Sequence, residues 1–233
     1  MFKYIFSCFF IIGFIFTAPL QAQDSEAQYM NQLQLLNQTP IARSPLHKTD
    51  QDMFSMRVID KNRQLVGKVA DIAFDESGAM VKLVSDINRI GRRESIVRND
   101  AFEVIFHEDI SAFEIPLVLS PGDVRDISPE ALAAIAPAAG GGSVYSLKAM
   151  LGADVRSRDG RWVGIVKNVI FDEQGQAIRA LLVEDVPGAR RYKDIALPFD
   201  PQQIKVNSDY GRVEFRAEPA AAKAIMDFAK SSR

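Results

Sequence analysis

The sequence predicts a mainly β protein: two tandem small antiparallel β-barrels, joined by a short helix and a Gly-rich linker, with a C-terminal helix. Two observations predict this fold class. A stretch of 21 residues recurs without a gap at an offset of 97 positions, and each copy alternates short apolar runs with turn-forming residues. The composition agrees with a folded chain, since 47% of the 233 residues are hydrophobic and 25% are charged.

Composition also excludes several classes of protein. These hydrophobic and charged fractions argue against a disordered chain, a collagen-like fibre and a coiled coil. The formal net charge of -2 argues against binding to nucleic acid through overall positive charge. We therefore expect no nucleic-acid partner.

The first residues have the layout of a secretory signal peptide. Lys3 is followed by an almost wholly apolar run, residues 4–16, and then by small residues with a plausible cleavage point after Ala22. We expect a periplasmic or secreted protein without a transmembrane helix after cleavage. The alternative is a retained anchor, because residues 4–20 reach the lower limit of roughly 17 residues for a membrane span. Cys8 is the only cysteine and lies in this segment, so the mature chain has no disulfide, thiolate metal site or Cys nucleophile.

The rest of the chain divides at changes in composition and at the repeat. The segment 23–46 is rich in Gln and Asn, and we predict a flexible arm there. The predicted parts are a signal peptide at 1–22, this arm, a first barrel at 47–127, a helix and linker at 128–143, a second barrel at 144–217, and a C-terminal helix at 218–233.

The repeat predicts the same three strands twice. Residues 58–78 and 155–175 share eight of 21 residues, and turns such as Asp159-Gly160 separate their apolar runs. The signature consists of Gly67, Phe74, Asp75 and Gly78 in the first copy and Gly164, Phe171, Asp172 and Gly175 in the second. The predicted strands are 57–60, 65–74 and 79–84, with 154–157, 162–171 and 177–183 as their counterparts.

The second strand of each copy breaks the alternation of apolar and polar residues. We predict bulges near Gly67 and Gly164 and again near Asp71 and Asn168, which would curl each sheet towards a barrel. Asp71 and Asn168 either form a shared polar site or bond their own backbone. Further strands are predicted at 95–97, 102–106, 113–119, 194–198, 203–206 and 212–215.

Helices are predicted around and between the copies. Ser128 and Pro129 begin a short helix that Pro137 ends, and the glycine-rich residues 138–142 form a flexible linker. One capped turn is predicted at 146–151. A closing helix is predicted at 219–230, with Ile225, Phe228 and Ala229 on its apolar face.

Residues 152–175 read Gly-Ala-Asp-Val-x-Ser-x-Asp-Gly-x-x-Val-Gly-x-Val-x-Asn-Val-x-Phe-Asp-Glu-x-Gly, and this pattern resembles the PRC-barrel family. The second copy resembles it over about 145–215. The first copy resembles it less closely over about 50–110, since it has Asn62-Arg63 in place of the Asp-Gly turn. The resemblance implies a small β-barrel that serves as a docking or assembly module, without catalytic residues to transfer. With the signal peptide, it predicts an exported bacterial protein of this kind.

The recurring charged pairs are the candidate sites. Arg92 and Arg93, like Arg190 and Arg191, follow the third strand, and such pairs can hold an anion or an acidic partner surface. Exposed hairpin tips are the simpler interpretation of these arginines. The pairs Asp75-Glu76 and Asp172-Glu173 are interpreted as solvated turns rather than metal ligands.

The sequence predicts a non-enzymatic module that binds an envelope or membrane protein, with self-association left open. We expect no cofactor and no metal site, because the chain has only His47 and His107 and no zinc-binding or nucleophile motif. The alternative is an envelope protein that binds a small anionic ligand, a lipid headgroup or a metal.

Overall fold

The computed structural model describes residues 18–38, 48–87, 95–116, 144–190, 193–209 and 212–232. Its helices in these ranges are α1 (Ala18–Gln38), α2 (Asp50–Ser55), α3 (Leu147–Met150) and α4 (Pro219–Ser231). The strands before the middle of the chain are β1 (Lys48–Thr49), β2 (Arg57–Ile59), β3 (Leu65–Phe74), β4 (Met80–Ile87), β5 (Ser95–Asp100), β6 (Ile105–His107) and β7 (Ala112–Glu114). The later strands are β8 (Tyr145–Ser146), β9 (Asp154–Ser157), β10 (Trp162–Phe171), β11 (Ile178–Glu184), β12 (Ile195–Pro198), β13 (Ile204–Asp209) and β14 (Arg212–Ala217).

These strands form two sheets with the same connectivity. The N-terminal sheet has the order β5-β4-β3-β2-β7-β6, and the C-terminal sheet has the order β12-β11-β10-β9-β14-β13. Each contains one parallel pair, β2 with β7 or β9 with β14, among antiparallel neighbours. The mainly β class, the two sheets and the C-terminal helix are confirmed. Closure of each sheet into a barrel stays a prediction.

The long second strand of each copy is confirmed at its predicted bounds, and its predicted bulges are present. The pairing shifts beside Gly67 and Gly164, and again between Val69 and Asp71 and between Val166 and Asn168. Gly164 has a φ of 155°, and a Cβ placed there would lie 2.6 Å from the Glu184 carbonyl oxygen. A side chain therefore cannot be accommodated at this bulge without movement of the backbone.

The two sheets exchange short strands. β1 precedes the N-terminal sheet but pairs with β10, whereas β8 precedes the C-terminal sheet but pairs with β3. Lys48 lies opposite Phe171, and Tyr145 lies opposite Phe74, so both partners are related by the same offset of 97. The repeat therefore begins earlier than its sequence signature, and its copies are related by an approximate two-fold arrangement.

The exchange places the two sheets in direct contact. The rings of Phe74 and Phe171 stack with centroids 5.3 Å apart. The Met80 amide donates to the Gln176 carbonyl at 2.7 Å, and the Ile178 amide donates to the Gly78 carbonyl at 2.9 Å. Buried side chains of both sheets belong to one hydrophobic cluster, so the copies pack together.

Helix α1 corrects the prediction of a flexible arm at 23–46, over residues 23–38. Tyr29 and Leu33 are buried, and α1 packs against α4 and β12. The positions 29, 33 and 37 recur every four residues, which places Tyr29, Leu33 and Asn37 on one helix face. The Gln- and Asn-rich composition conceals this stripe. Residues 39–46 lie outside the described residues.

The shorter helices begin at the predicted signals. Ser146 caps α3, and Thr49 forms a capping box with Asp52 at the equivalent start of α2. α4 begins at Pro219, and Ile225, Phe228 and Ala229 are buried as predicted. The predicted helix at 128–136 and the glycine linker lie outside the described residues. Among the helices that are described, none is long and apolar enough to cross a membrane.

Candidate partner-binding surface

The structure places one of the four predicted arginines. Arg190 lies in the connection between β11 and β12, whereas Arg92, Arg93 and Arg191 lie outside the described residues. Arg190 lines a half-open depression of about 520 Å³ at this end of the C-terminal sheet. Its other lining side chains are Lys167, Glu184, Asp185, Val186, Ala189, Lys193 and Asp194. Whether the two arginine pairs act together stays a prediction.

The charges in this depression balance one another. The Lys167 ammonium lies 2.9 Å from an Asp194 oxygen and 3.6 Å from a Glu184 oxygen. The hydrogen bond to Asp194, with its negative charge, raises the pKa of Lys167. Three cationic and three acidic side chains line the depression, so it offers no net positive charge to an anion.

The acidic turns that recur in the two copies have a structural role. One Asp75 oxygen accepts the amides of Ser77 at 2.9 Å and Ala79 at 3.1 Å. Asp172 accepts the Gln176 amide at 2.8 Å at the equivalent turn. These bonds are typical of aspartates that stabilise turns. Within the described ranges, no group of His, Cys, Asp and Glu side chains is arranged to hold a metal.

Asp71 stabilises the bulge and connects the two sheets. One of its oxygens accepts its neighbour's amide, that of Ile72, at 2.8 Å. The other accepts the Ser146 hydroxyl at 2.5 Å, and Ser146 belongs to the exchanged strand β8. Bonding of Asp71 to the adjacent backbone is therefore observed, whereas a polar site shared by Asp71 and Asn168 stays a prediction.

Exposed apolar side chains concentrate beside β6. The large hydrophobic residues exposed in the described part of the chain are Leu35, Leu65, Phe102, Ile105 and Ile110. Three of these five lie within nine residues, on β6 and the two short 3-10 turns that flank it. Phe102 is 84% exposed and Ile105 is 55% exposed. Scattered exposed apolar residues are ordinary, whereas a local concentration of them is a feature of many interaction surfaces.

Acidic side chains surround these apolar residues. Glu103, Glu108 and Asp109 are all exposed on the same two turns. The segment from Asp100 to Glu114 contains no Lys and no Arg. We define the β6 surface by its apolar and acidic residues: Phe102, Glu103, Ile105, Glu108, Asp109 and Ile110.

The β6 surface rests on a rigid base. The ring of Phe106 contacts that of Phe113 with centroids 5.5 Å apart, and the Lys48 ammonium lies 4.9 Å from the Phe106 centroid. On the outer side of the sheet, His107 Nε2 lies 2.8 Å from a Glu114 oxygen. These contacts hold β6 against β7, so the exposed side chains of the turns project from a fixed strand.

The corresponding regions of the C-terminal sheet are covered or polar. Lys205 on β13 occupies the place of Ile105 on β6. Ile105 pairs with Glu114 of β7, and Lys205 pairs with Arg216, the equivalent residue of β14. The Lys205 ammonium lies 3.1 Å from a Glu218 oxygen. At the opposite edge, the Asn37 side chain donates to the Ala196 carbonyl at 2.8 Å and accepts the Ala196 amide at 2.9 Å. Tyr29 donates to the Pro198 carbonyl at 3.0 Å.

The C-terminal sheet matches a known domain family. Residues 143–218 match the PRC-barrel domain family. The match confirms the resemblance of the second copy and includes every strand from β8 to β14. A PRC-barrel domain generally indicates a non-catalytic module. No curated protein matches the chain. Membership of the N-terminal sheet in the same family stays a prediction.

Sequence reasoning missed the β6 surface. It predicted a strand at 102–106, but Phe102 lies in a 3-10 turn and the strand begins at Ile105. A strand at 102–106 would have turned alternate residues inward, whereas the turn leaves Phe102 outside. The available signal was the acidic run without a basic residue, in which large apolar side chains are interspersed.

Proposed function

We propose that this chain is an exported, non-enzymatic module that binds another protein through tandem PRC-barrel domains. The family match of the C-terminal sheet supports a non-catalytic role. The identical strand order of the N-terminal sheet supports a second domain of the same kind. An envelope or membrane protein is the proposed partner, because the chain begins with the pattern of a signal peptide.

The observation that carries this proposal is the β6 surface. It exposes Ile105 on a strand that, in the described residues, pairs with β7 alone, and it exposes Phe102 and Ile110 on the two turns that flank this strand. Covering large apolar side chains by a partner removes them from water, which stabilises a complex. The depression beside Arg190 offers no comparable apolar surface.

Export is tested on the chain itself. Expression with the native N-terminus should give a mature protein that begins at Gln23 and fractionates with the periplasm or medium. Cleavage there leaves Tyr29, Leu33 and Asn37, and therefore the α1 contacts, in the chain. Intact mass spectrometry of the purified protein measures the outcome, and retention of residues 1–22 would support the anchor instead.

Partner binding is tested by crosslinking in intact cells followed by mass spectrometry. The expected result is one envelope protein that crosslinks to the wild-type chain and much less to a Phe102→Ser/Ile105→Ser variant. The matched control is Leu35→Ser, which changes an equally apolar exposed residue on α1. Failure to recover a specific partner, combined with measurable turnover of a substrate by the purified chain, would contradict the proposal.

The alternative is binding of a small anionic ligand at the arginine pairs, and the depression that Arg190 lines is the observation in its favour. Phosphate is the simplest probe of that site. If the alternative holds, phosphate should raise the melting temperature, and replacement of Arg92, Arg93, Arg190 and Arg191 by Ala should abolish that increase. An increase that survives the replacements would exclude this version of the site.

A further inference from the structure

The edge strands of the two sheets differ in whether other parts of the chain already bond their outward-facing backbone groups. Alternate residues of an edge strand direct their backbone groups away from the sheet. On β12 these are Ala196 and Pro198, and α1 side chains bond the amide and carbonyl of Ala196 and the carbonyl of Pro198. Proline has no amide hydrogen, so the outward groups of β12 are satisfied. This edge is therefore not available to a partner.

The edge at β13 is also contacted from within the chain. The Tyr145 hydroxyl donates to the Val206 carbonyl at 3.3 Å, and Lys205 bonds Glu218. At the position of the exposed Ile105 this edge carries the charged Lys205. Of the edges whose side chains are described, β6 is the one that combines exposed apolar groups with a single neighbouring strand.

The charge around β6 restricts the chemistry of its partner. Glu103, Glu108 and Asp109 are exposed beside the apolar side chains. The segment from Asp100 to Glu114 contains no Lys or Arg, and its one histidine, His107, is paired with Glu114. Individually, exposed carboxylates contribute little to binding, but several together attract cationic groups and repel anionic ones. A membrane rich in anionic lipids is thus repelled, although its interior would suit the apolar residues.

We propose, on the basis of the proposed function, that the β6 surface binds a protein segment in which apolar residues are interspersed with Lys or Arg. The apolar residues of this segment cover Phe102, Ile105 and Ile110. Its cationic groups bond Glu103, Glu108 and Asp109. This partner chemistry is opposite to that expected for the arginine pairs, which would select an acidic surface.

Short labelled peptides test this inference on the purified full chain by fluorescence anisotropy. A peptide that alternates Val and Lys should bind at least about tenfold more tightly than one that alternates Val and Glu or Ser and Lys. The affinity for the Val–Lys peptide should fall by about tenfold in the Phe102→Ser/Ile105→Ser variant. It should fall by a similar factor in the Glu103→Lys/Glu108→Lys/Asp109→Lys variant. The Val–Lys affinity should also fall as salt rises, because exposed charges are screened.

Leu35→Ser is the matched control and should leave peptide binding unchanged. All substituted side chains are exposed, and a melting curve of each variant verifies that it folds. Equal binding of the Val–Lys and Val–Glu peptides would overturn the inference. It would also be overturned if the wild-type chain bound phosphatidylglycerol vesicles and the Phe102→Ser/Ile105→Ser variant did not. If in-cell crosslinking recovers a partner while the peptides are not distinguished, this inference falls and the proposed function stands. If no partner is recovered and the purified chain turns over a substrate, the proposed function itself falls.

Discussion

The two sheets of this protein share one strand order but differ in what covers them. The C-terminal sheet carries α4 and α1, and Asn37 and Tyr29 of α1 bond the backbone of its edge strand β12. The N-terminal sheet instead exposes Phe102, Ile105 and Ile110 beside its edge strand β6. The shared topology accounts for the fold, and the difference in covering is the basis of our proposal that the N-terminal copy contacts another protein.

The stacked rings of Phe74 and Phe171 allow a test of whether the two sheets unfold as one cooperative unit. Phe171→Ala should lower the free energy of unfolding by about 3–5 kcal/mol, because it removes a fully buried ring from the contact with Phe74. Calorimetry should show one transition for the wild-type chain. Phe102→Ala, at an exposed position, should change stability by less than about 0.5 kcal/mol. Two separate wild-type transitions would mean that the sheets unfold independently.

The bulge of β10 tests how strictly the repeated strand requires glycine. Gly164→Ala should cost about 2–4 kcal/mol, since its Cβ would lie 2.5 Å from a Val183 methyl and 2.6 Å from the Glu184 carbonyl oxygen. Gly160→Ala is the control: Gly160 also has a positive φ, but nothing lies within 4 Å of the added Cβ. Chemical denaturation of both variants measures the difference, and equal costs would contradict the steric explanation.

Asn37 tests whether α1 protects the β12 edge. Asn37→Ala should cost about 1–3 kcal/mol, because the buried amide and carbonyl of Ala196 lose their partners. Hydrogen exchange of the Ala196 amide should become faster. Gln34→Ala, on the exposed side of α1, should leave both quantities unchanged. Unchanged exchange at Ala196 in Asn37→Ala would show that the side chain does not protect the edge.

Substitution of Asp50 should give the smallest change in the free energy of unfolding, and this change should depend on pH. It occupies the place of buried Leu147, and its burial, with the nearby charge of Asp52, raises the pKa of its carboxyl. The fold therefore disfavours the ionised form, so this group lowers stability as pH rises through the unfolded pKa of about 3.9 towards the raised folded value. Above that value the loss is constant.

Asp50→Asn should accordingly increase stability at neutral pH by about 1 kcal/mol and leave it unchanged in acid. Asp52→Ala should have the opposite sign, because it removes the capping bonds to Thr49. Denaturation midpoints across the acid range measure both effects. A neutral-pH loss of stability in Asp50→Asn would contradict the assigned cost of the buried carboxylate.

The repeated strands could be predicted from the sequence because their information is local. Val-Gly-x-Val and the Asp-Glu-x-Gly turn predict β3 and β10 to the residue, and the broken alternation predicts their bulges. Pro219 and Ser146 mark helix starts by the same local chemistry. These features depend on backbone conformations that individual residues favour, so no knowledge of the partner strand is needed.

The exchange of β1 and β8 and the docking of α1 could not be predicted in this way. Lys48–Thr49 is too short to show a period, and its partner lies more than a hundred residues later. Asn37 bonds Ala196, which lies 159 residues later in the chain. The composition of the segment around Asn37 predicts only a polar arm. The β6 surface was missed for a related reason, since whether Phe102 faces solvent depends on a turn rather than on a strand.

The most direct test of the account compares positions 105 and 205, which are equivalent in the two sheets. A photo-crosslinking amino acid replaces Ile105 in one variant and Lys205 in another, and both are illuminated in intact cells. We expect a specific protein crosslink from position 105. This crosslink should be absent from position 205, and it should be lost when Glu103, Glu108 and Asp109 are replaced by Lys. The same partner crosslinked from both positions, or from position 205 alone, would contradict this expectation.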